Sequence, residues 1–150
     1  MSDTARARIL AVAAAVVPVK AGAAPRAFTA RTGQHAAAAA PGKSRTLTLG
    51  AQSVRHMPMT YASGVRLWEA STTLAVRYDA PEGIDDEALE RLIQEDAREL
   101  VRALSLPSNF TGFLSHLTVG REPVRVVDIR GAGSRVAREL QIPIRYQFFA

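Results

Sequence analysis

The sequence has no cysteine, few aromatic residues and no long run of apolar residues. The absence of cysteine excludes a disulfide scaffold, a thiol nucleophile and a metal site built on thiolates. No apolar run approaches the roughly 20 residues that a helix needs to cross a bilayer, so we expect no membrane segment. With 47% hydrophobic and 22% charged residues, the composition is typical of a folded globular protein. A length of 150 residues predicts a single domain, residues 1–150.

The charge is distributed unevenly along the chain. The formal net charge is +5, and 17 of the 19 basic residues are arginine. Residues 1–63 carry +7, residues 64–104 carry −5 and residues 105–150 carry +3. A basic protein can neutralise phosphates, so a nucleic-acid-binding module is one interpretation. Because the basic residues are scattered singly, a better fit is a ring or filament in which the basic region of one subunit meets the acidic helix of its neighbour.

The first 24 residues allow two interpretations. Arginines, an apolar stretch and small residues follow one another as in an export signal. Asp3 and Lys20, however, place charges where such signals rarely carry them, and the apolar stretch is mostly alanine. The favoured interpretation is a helix that starts at Ser2 or Asp3 and ends before Pro18. Its apolar face follows the helical repeat through Ile9, Val12, Ala13, Val16 and Val17.

Two long strands and one long amphipathic helix are the clearest elements. In residues 65–79 and 136–149, apolar and polar side chains alternate as in strands with one buried face. Residues 85–104 begin with acidic residues and continue with an apolar stripe, which predicts a helix with Asp85 as its N-cap. Pro143 interrupts the last strand, and we expect a bulge or an edge position there.

Shorter patterns complete the predicted fold. They predict further strands at residues 26–30, 45–50 and 124–130. The resulting order, α–β–β–β–α–β–β, predicts an α+β fold in which two helices pack on one face of a mostly antiparallel or mixed sheet. We expect long loops at about residues 31–44, 51–64 and 105–123.

Two glycine-containing segments resemble nucleotide-binding loops but lack the required context. Residues 37–44 fit a relaxed phosphate-loop pattern that includes Lys43, but an alanine tract precedes the pattern and a predicted strand follows it. A working loop needs a buried strand before it and a helix after it. The segment Gly131-Ala132-Gly133 lies between two predicted strands, which indicates a hairpin turn. We therefore expect no cofactor site.

The remaining polar residues form no catalytic or metal-binding pattern. His35, His56 and His116 are far apart in the sequence, and none has another type of ligand four residues away. The acidic residues between positions 79 and 86 lie at a predicted strand-to-helix corner, where helix capping explains them. We expect neither catalytic residues nor metal ligands, and we predict that the protein is not an enzyme.

Landmarks spread over nearly the whole chain carry a resemblance to a known family. They are the N-terminal helix, Arg26-Ala27-Phe28, Arg45-Thr46-Leu47-Thr48-Leu49, Leu74-Ala75-Val76-Arg77-Tyr78, the helix with Ile93-Gln94-Glu95-Asp96 and Leu100-Val101, and the aromatic strand 140–149. In this order and spacing the chain resembles the tail-terminator (tail-completion) proteins of long-tailed bacteriophages. It differs from them in an alanine-rich segment at residues 36–40 and in a pI near 10.4.

The resemblance implies a structural protein of the virion. Such a subunit forms a ring, generally a hexamer, that caps the tail tube, ends tail polymerisation and joins the tail to the head–tail connector. The implied partners are further copies of this chain, the tail tube protein and the connector or stopper protein, with non-specific contact to DNA in the lumen. The implied location is the tail neck, after assembly in the host cytoplasm. Another neck or tube component is the alternative within this class.

We expect the interfaces at loops and exposed apolar residues. Loops 31–44 and 51–64 are predicted to contact the adjacent subunit or the tube, and the sheet edge is predicted to build the ring. Phe110, Phe113 and Leu114 are either core residues or a patch that faces a partner. The candidate interface residues are Arg31, Lys43, Arg45, His56, Met57, Met59, Phe110 and Phe113.

Overall fold

The structure, a computed structural model, describes residues 2–16, 28–30, 45–60, 64–79, 86–119 and 124–150. Within these ranges the chain forms two α-helices, α1 (Ser2–Ala14) and α2 (Asp86–Leu104), and a short 3-10 helix at Pro107–Phe110. Its seven strands join one sheet: β1 (Phe28–Ala30), β2 (Arg45–Leu49), β3 (Ser53–Thr60), β4 (Arg66–Asp79), β5 (His116–Val119), β6 (Arg125–Gly131) and β7 (Ser134–Phe149). The predicted α+β class is confirmed.

The two longest strands, β4 and β7, form the antiparallel centre of the sheet. Their pairing runs without a register shift from Leu67 opposite Phe149 to Asp79 opposite Ala137. Side chains alternate between the two faces of a strand, and the apolar members of one face are buried. The alternation predicted for both strands is confirmed by the buried set Ala70, Leu74, Val76, Tyr78, Leu140, Ile142, Ile144, Tyr146 and Phe148.

Four of the other strands pair with the outer sides of this centre, two on each side and one after the other along its length. On one side, β2 pairs with residues 74–78 of β4 and β3 pairs with residues 66–71, both antiparallel. On the other side, β6 pairs with the first part of β7 and β5 with residues 144–147. The short strand β1 extends the sheet beyond β2 and is parallel to it. The sheet is therefore mixed, but antiparallel pairs dominate it.

Pro143 lies within β7 without causing a bulge. It stands opposite Thr73 in an unshifted register. The Gly50 amide donates a hydrogen bond to the Thr73 carbonyl oxygen from the β2 side, so the backbone polar groups of this pair point away from each other. The Pro143 nitrogen consequently faces the outer side of β7, at the gap between β5 and β6. Of the two predicted alternatives, a bulge or an edge position, the structure has the edge position among the described strands, where the missing amide removes no ladder hydrogen bond.

Both helices cover the same face of the sheet. α1 packs against α2, β1 and β2, and α2 packs also against β5 and β7. The apolar face predicted for the first helix is confirmed from Ile9 to Val16, and Val16 packs against the core from just beyond α1. Position 17 of that face lies outside the described residues. The N-cap predicted for the second helix, at position 85, also lies outside them. The helices contribute to the core Ala5, Ile9, Leu10, Val12, Ala13, Leu89, Ile93, Leu100 and Leu104.

A few polar contacts fix the helices to the sheet. The buried Tyr78 hydroxyl donates a 2.7 Å hydrogen bond to the buried Asp96 carboxylate on α2. From α1, Arg6 donates to the Gly50 carbonyl oxygen at 3.0 Å, and Thr72 donates to the same oxygen at 2.9 Å. These bonds satisfy groups that would otherwise be costly to bury. The two bonds to the Gly50 carbonyl oxygen hold the connection between β2 and β3 against α1 and β4.

Two segments predicted as loops contain strands. β3 occupies most of the predicted loop 51–64, and the predicted loop 105–123 contains the 3-10 helix and β5. The predictions are wrong because β3 exposes most of its described side chains and β5 has only four residues, so neither shows a long buried alternation, and both strands depend on pairing with β4 or β7. The predicted loop 31–44 lies outside the described residues.

The turn between β6 and β7 is the predicted hairpin. Gly131 pairs with Ser134, which leaves Ala132 and Gly133 as a two-residue loop. Both residues have positive φ, 50° for Ala132 and 84° for Gly133. A type I′ turn needs positive φ at both central positions, and its twist matches that of the strands. The glycine-rich segment therefore serves as a turn.

Candidate interaction surfaces

The described residues hold no recognisable reaction centre. Within the described ranges, no group of three or more histidine or acidic side chains could hold a metal ion. His56 on β3 and His116 on β5 lie at opposite sides of the sheet and on opposite faces. His35 and Lys43 lie outside the described residues. The candidate sites are therefore surfaces: the two sheet edges, the sheet face without helices and an apolar patch beside α1.

The two outer edges of the sheet are formed in part by β3 and β6. Among the described strands, β3 pairs only with β4, and β6 pairs only with β7. Each edge carries an exposed valine, Val54 on β3 and Val126 on β6. The exposed Val127 follows on β6. Edge strands with apolar side chains and open backbone groups are ready templates for pairing with another chain.

The hydrogen-bond pattern defines which edge residues point outward. The Ser115 amide donates to the carbonyl oxygen of Gln147, so odd-numbered residues of β7 direct their backbone groups toward β5 and β6. Val127 faces such a residue, Glu139, and bonds to β7. Because the direction alternates along a strand, the backbone groups of Val126 point away from the sheet. By the same alternation along β4, the backbone groups of Val54 point out of the sheet at its other edge.

The sheet face without helices carries two adjacent rows of polar residues that cross four strands. The first row joins Arg55, Glu69, Gln147 and His116 in β3, β4, β7 and β5. The second row joins Ser53, Ser71, Arg145 and Thr118 in the same strands. Strand and residue spacings place the rows about 7 Å apart and make each about 14 Å long. We call these eight residues the polar platform.

Glu69 is the buried centre of the polar platform. Its side chain is only 8% exposed, whereas those of Arg55 and Arg145 are 67% and 59% exposed. Arg55 Nε donates to Glu69 Oε1 at 2.8 Å, Arg145 Nε lies 3.8 Å from the same oxygen, and Gln147 Nε2 donates to Oε2 at 3.4 Å. Burial opposes ionisation of Glu69, but the hydrogen bonds from Arg55 and Gln147 and the charges of both arginines lower its pKa below the usual range.

An apolar patch lies beside α1 at the end of the 3-10 helix. The Arg8 guanidinium stacks over the Phe113 ring, with 4.9 Å from Cζ to the ring centroid. Arg8 Nε also donates to the Asn109 carbonyl oxygen at 2.7 Å. Phe113 and Leu106 are both exposed. Arg8 thus links α1 to this segment and leaves one side of the phenyl ring open to solvent.

The predicted interface residues differ in how far the structure exposes them. Phe110 is only 2% exposed and belongs to the core, so its assignment to an interface is wrong: the 3-10 helix turns it inward beneath α1 and α2. Phe113 is 41% exposed, and Leu114 packs partly against the core. His56 is exposed and Met57 half-buried on β3. The others lie outside the described residues or have undescribed side chains: Arg31, Lys43, Arg45 and Met59.

Sequence reasoning did not identify the polar platform as a site. The alternation of β4 and β7 correctly places Glu69, Arg145 and Gln147 on the polar face. Arg55 and His116, however, lie in segments predicted as loops, so nothing in the sequence pattern aligns them with that face. The signal that could have found the cluster is an acidic residue in the middle of a strand face that is otherwise rich in serine and threonine.

No protein-family model matches the chain, and no curated protein matches it with significant similarity. In the part of the chain that the structure describes, no helix is long and apolar enough to cross a membrane.

Proposed function

We propose that this chain is a ring-forming structural subunit that caps a phage tail tube, as the resemblance to tail terminators implies. The observation that carries the proposal is a single sheet with two unlike edges that no described strand covers, β3 on one side and β6 on the other. A ring requires heterologous contacts, in which one patch of a subunit meets a different patch of the next. Two unlike edges of one rigid sheet meet that requirement.

The outward-facing valines give the proposed contact its geometry. Val54 and Val126 both carry side chains on the face that the helices cover, because each pairs with a residue of that face. If β3 of one subunit pairs with β6 of the next, the two valines lie on the same face of a continuous sheet. Their contact removes exposed apolar surface from water, which stabilises the ring at about 25 cal/mol per Å² of buried apolar area.

Proline substitution at the outward positions tests the proposed contact. Val126→Pro removes an amide that points out of the sheet, so the fold stays intact and the proposed pairing is lost. Val54→Pro does the same at the other edge, and Val126→Thr, which keeps the amide, is the matched control. We expect light scattering and negative-stain images, with and without tail tubes, to show rings for the wild type and Val126→Thr only.

Mixing the two proline variants gives a sharper outcome. Val126→Pro keeps an intact β3 edge and Val54→Pro an intact β6 edge, so one junction can form between them. We expect a heterodimer in the mixture and monomers in each separate sample. Rings from Val126→Pro, or a wild-type protein that stays monomeric and ignores tail tubes, would contradict the proposal.

A further inference from the structure

We infer that the polar platform binds the phosphate backbone of nucleic acid. This function does not depend on ring formation, because all eight residues lie on one subunit. The platform lies on the face without helices, and all its members except Glu69 and the half-buried Gln147 are exposed. Among the described elements, neither helix covers it, since both pack on the opposite face.

The chemistry of the platform matches phosphate oxygens. Seven of its eight side chains carry a hydrogen-bond donor, the exception being Glu69, and arginine, serine, threonine and glutamine are the usual phosphate ligands in protein–DNA contacts. Gln147 already donates to Glu69, and Thr118 donates to the Arg145 carbonyl oxygen, so the two arginines and the two serines are the principal donors toward a phosphate. The donors stand in two parallel rows across four strands. A flat array of donors fits a continuous backbone better than it fits a small anion, which binds in a concave site.

The charge of the platform is positive although an acid lies at its centre. Arg55 and Arg145 share the single carboxylate of Glu69, so the cluster keeps a net charge of +1. The carboxylate is covered, while most of each arginine side chain reaches solvent. Glu69 is thus a positioning residue: it binds Arg55 Nε and leaves the outer side of the guanidinium open for a phosphate.

The platform is not shaped to read bases. It contains no phenylalanine, tyrosine or tryptophan on which bases could stack, and a flat sheet face presents no helix or ribbon to a DNA groove. The expected binding is therefore independent of sequence and strongly dependent on salt. An acidic polypeptide offers carboxylate oxygens to the same arginines and hydroxyls, so competition between the two ligands decides between them.

Fluorescence anisotropy with a labelled DNA duplex of random sequence tests the inference. We expect wild-type protein to bind at 50 mM salt, and Arg55→Ala/Arg145→Ala to weaken the affinity about tenfold and lower the salt slope by about 2, one for each lost phosphate contact. The matched control is Arg98→Ala/Arg102→Ala, which removes two exposed arginines from α2 on the other side of the molecule. We expect less than a twofold effect from the control.

Three results would overturn the inference. One is a wild-type protein that does not bind the duplex at 50 mM salt, and another is an equal loss of affinity in both double variants, which would indicate only diffuse attraction to a basic protein. The third is displacement of the duplex by polyglutamate at an equal concentration of charge, which would assign the surface to an acidic polypeptide. Circular dichroism and thermal unfolding establish that both double variants are folded.

Discussion

At the scale of single residues, Glu69 shows how a charge can be buried on an otherwise open sheet face. Taking a carboxylate out of water is costly unless charged and hydrogen-bonding partners replace the water. Arg55 comes from β3, and Arg145 and Gln147 come from β7, so three strands contribute to this replacement. The pairing that brings these strands together is therefore part of what keeps Glu69 ionised.

The first prediction concerns the pH dependence that Glu69 contributes. Its pKa is lower in the folded protein than the ordinary value of 4.5, so it stabilises the fold above pH 4.5 and loses this contribution as the pH falls through the lowered pKa. We expect Glu69→Gln to lose about 1 kcal/mol of unfolding free energy at pH 7 and to show a flatter acid limb. Urea unfolding from pH 7 to pH 3 measures both. The exposed Glu87→Gln is the control, and an equally flat acid limb there would contradict the assignment.

The second prediction concerns the strained turn residue Ala132. The left-handed conformation of Ala132, at φ 50°, is sterically unfavourable for alanine by about 1–2 kcal/mol, and asparagine adopts it more readily. We expect Ala132→Asn to raise the unfolding free energy by about 0.5–1 kcal/mol. Gly133→Ala, at φ 84° in open space, should lower it by about 1 kcal/mol. Urea titration distinguishes the two signs, and destabilisation by both substitutions would refute the turn geometry.

At the scale of elements, Arg138 joins the end of the sheet to α2. Its Nη1 donates to Glu90 on α2 at 2.7 Å, and its Nε lies 3.2 Å from Asp128 on β6 without the direction of a hydrogen bond. The hydrogen bond to Glu90 raises the pKa of Arg138, and the Asp128 charge adds to this effect. The Arg138 side chain is mostly buried, unlike the exposed pair formed by Arg91 and Glu87.

The third prediction compares these two arginines. Arg138→Met keeps the apolar stem but removes the contacts that connect α2, β6 and β7, so we expect a loss of about 1–2 kcal/mol of unfolding free energy. Arg91→Met removes only an exposed i, i+4 pair and should cost no more than about 0.5 kcal/mol. Circular dichroism during urea unfolding measures both variants. Equal stabilities would show that the Arg138 network does not contribute to the fold.

Also at the scale of elements, the success of sequence reasoning depends on how each element is held. A continuous apolar face is buried on each of α1, α2, β4 and β7. In the sequence this face shows as apolar residues that repeat about every 3.6 positions in the helices and every 2 positions in the strands. β3 exposes most of its described side chains, and β5 packs only Leu117 and Val119 against the core, so both strands depend on pairing with β4 and β7. Their existence depends on residues distant in the chain, so a local pattern could not reveal them.

At the scale of the whole molecule, the described elements leave the sheet face without helices and the edges β3 and β6 available for contact. The helices cover one face, so the core lies on that side, while the polar platform and the edges β3 and β6 stay at the surface. The edge-proline variants test the edges as subunit contacts, and the paired arginine variants test the platform as a phosphate surface. Val126→Pro makes the two experiments independent, because β6 contributes no residue to the platform and the arginine variants leave the edge amides in place.

The amino-acid sequence by itself determined the two helices, the two central strands, the buried face and the β6–β7 turn. Each of these follows from side chains near one another in the chain. Only the tertiary structure decided that Phe110 turns inward while Phe113 stays exposed, and that Glu69 meets Arg55 and Gln147. The two contacts of Glu69 join residues that are 14 and 78 positions apart in the sequence. Such residues become neighbours only when the strands pair, because the register selects which side chains lie side by side.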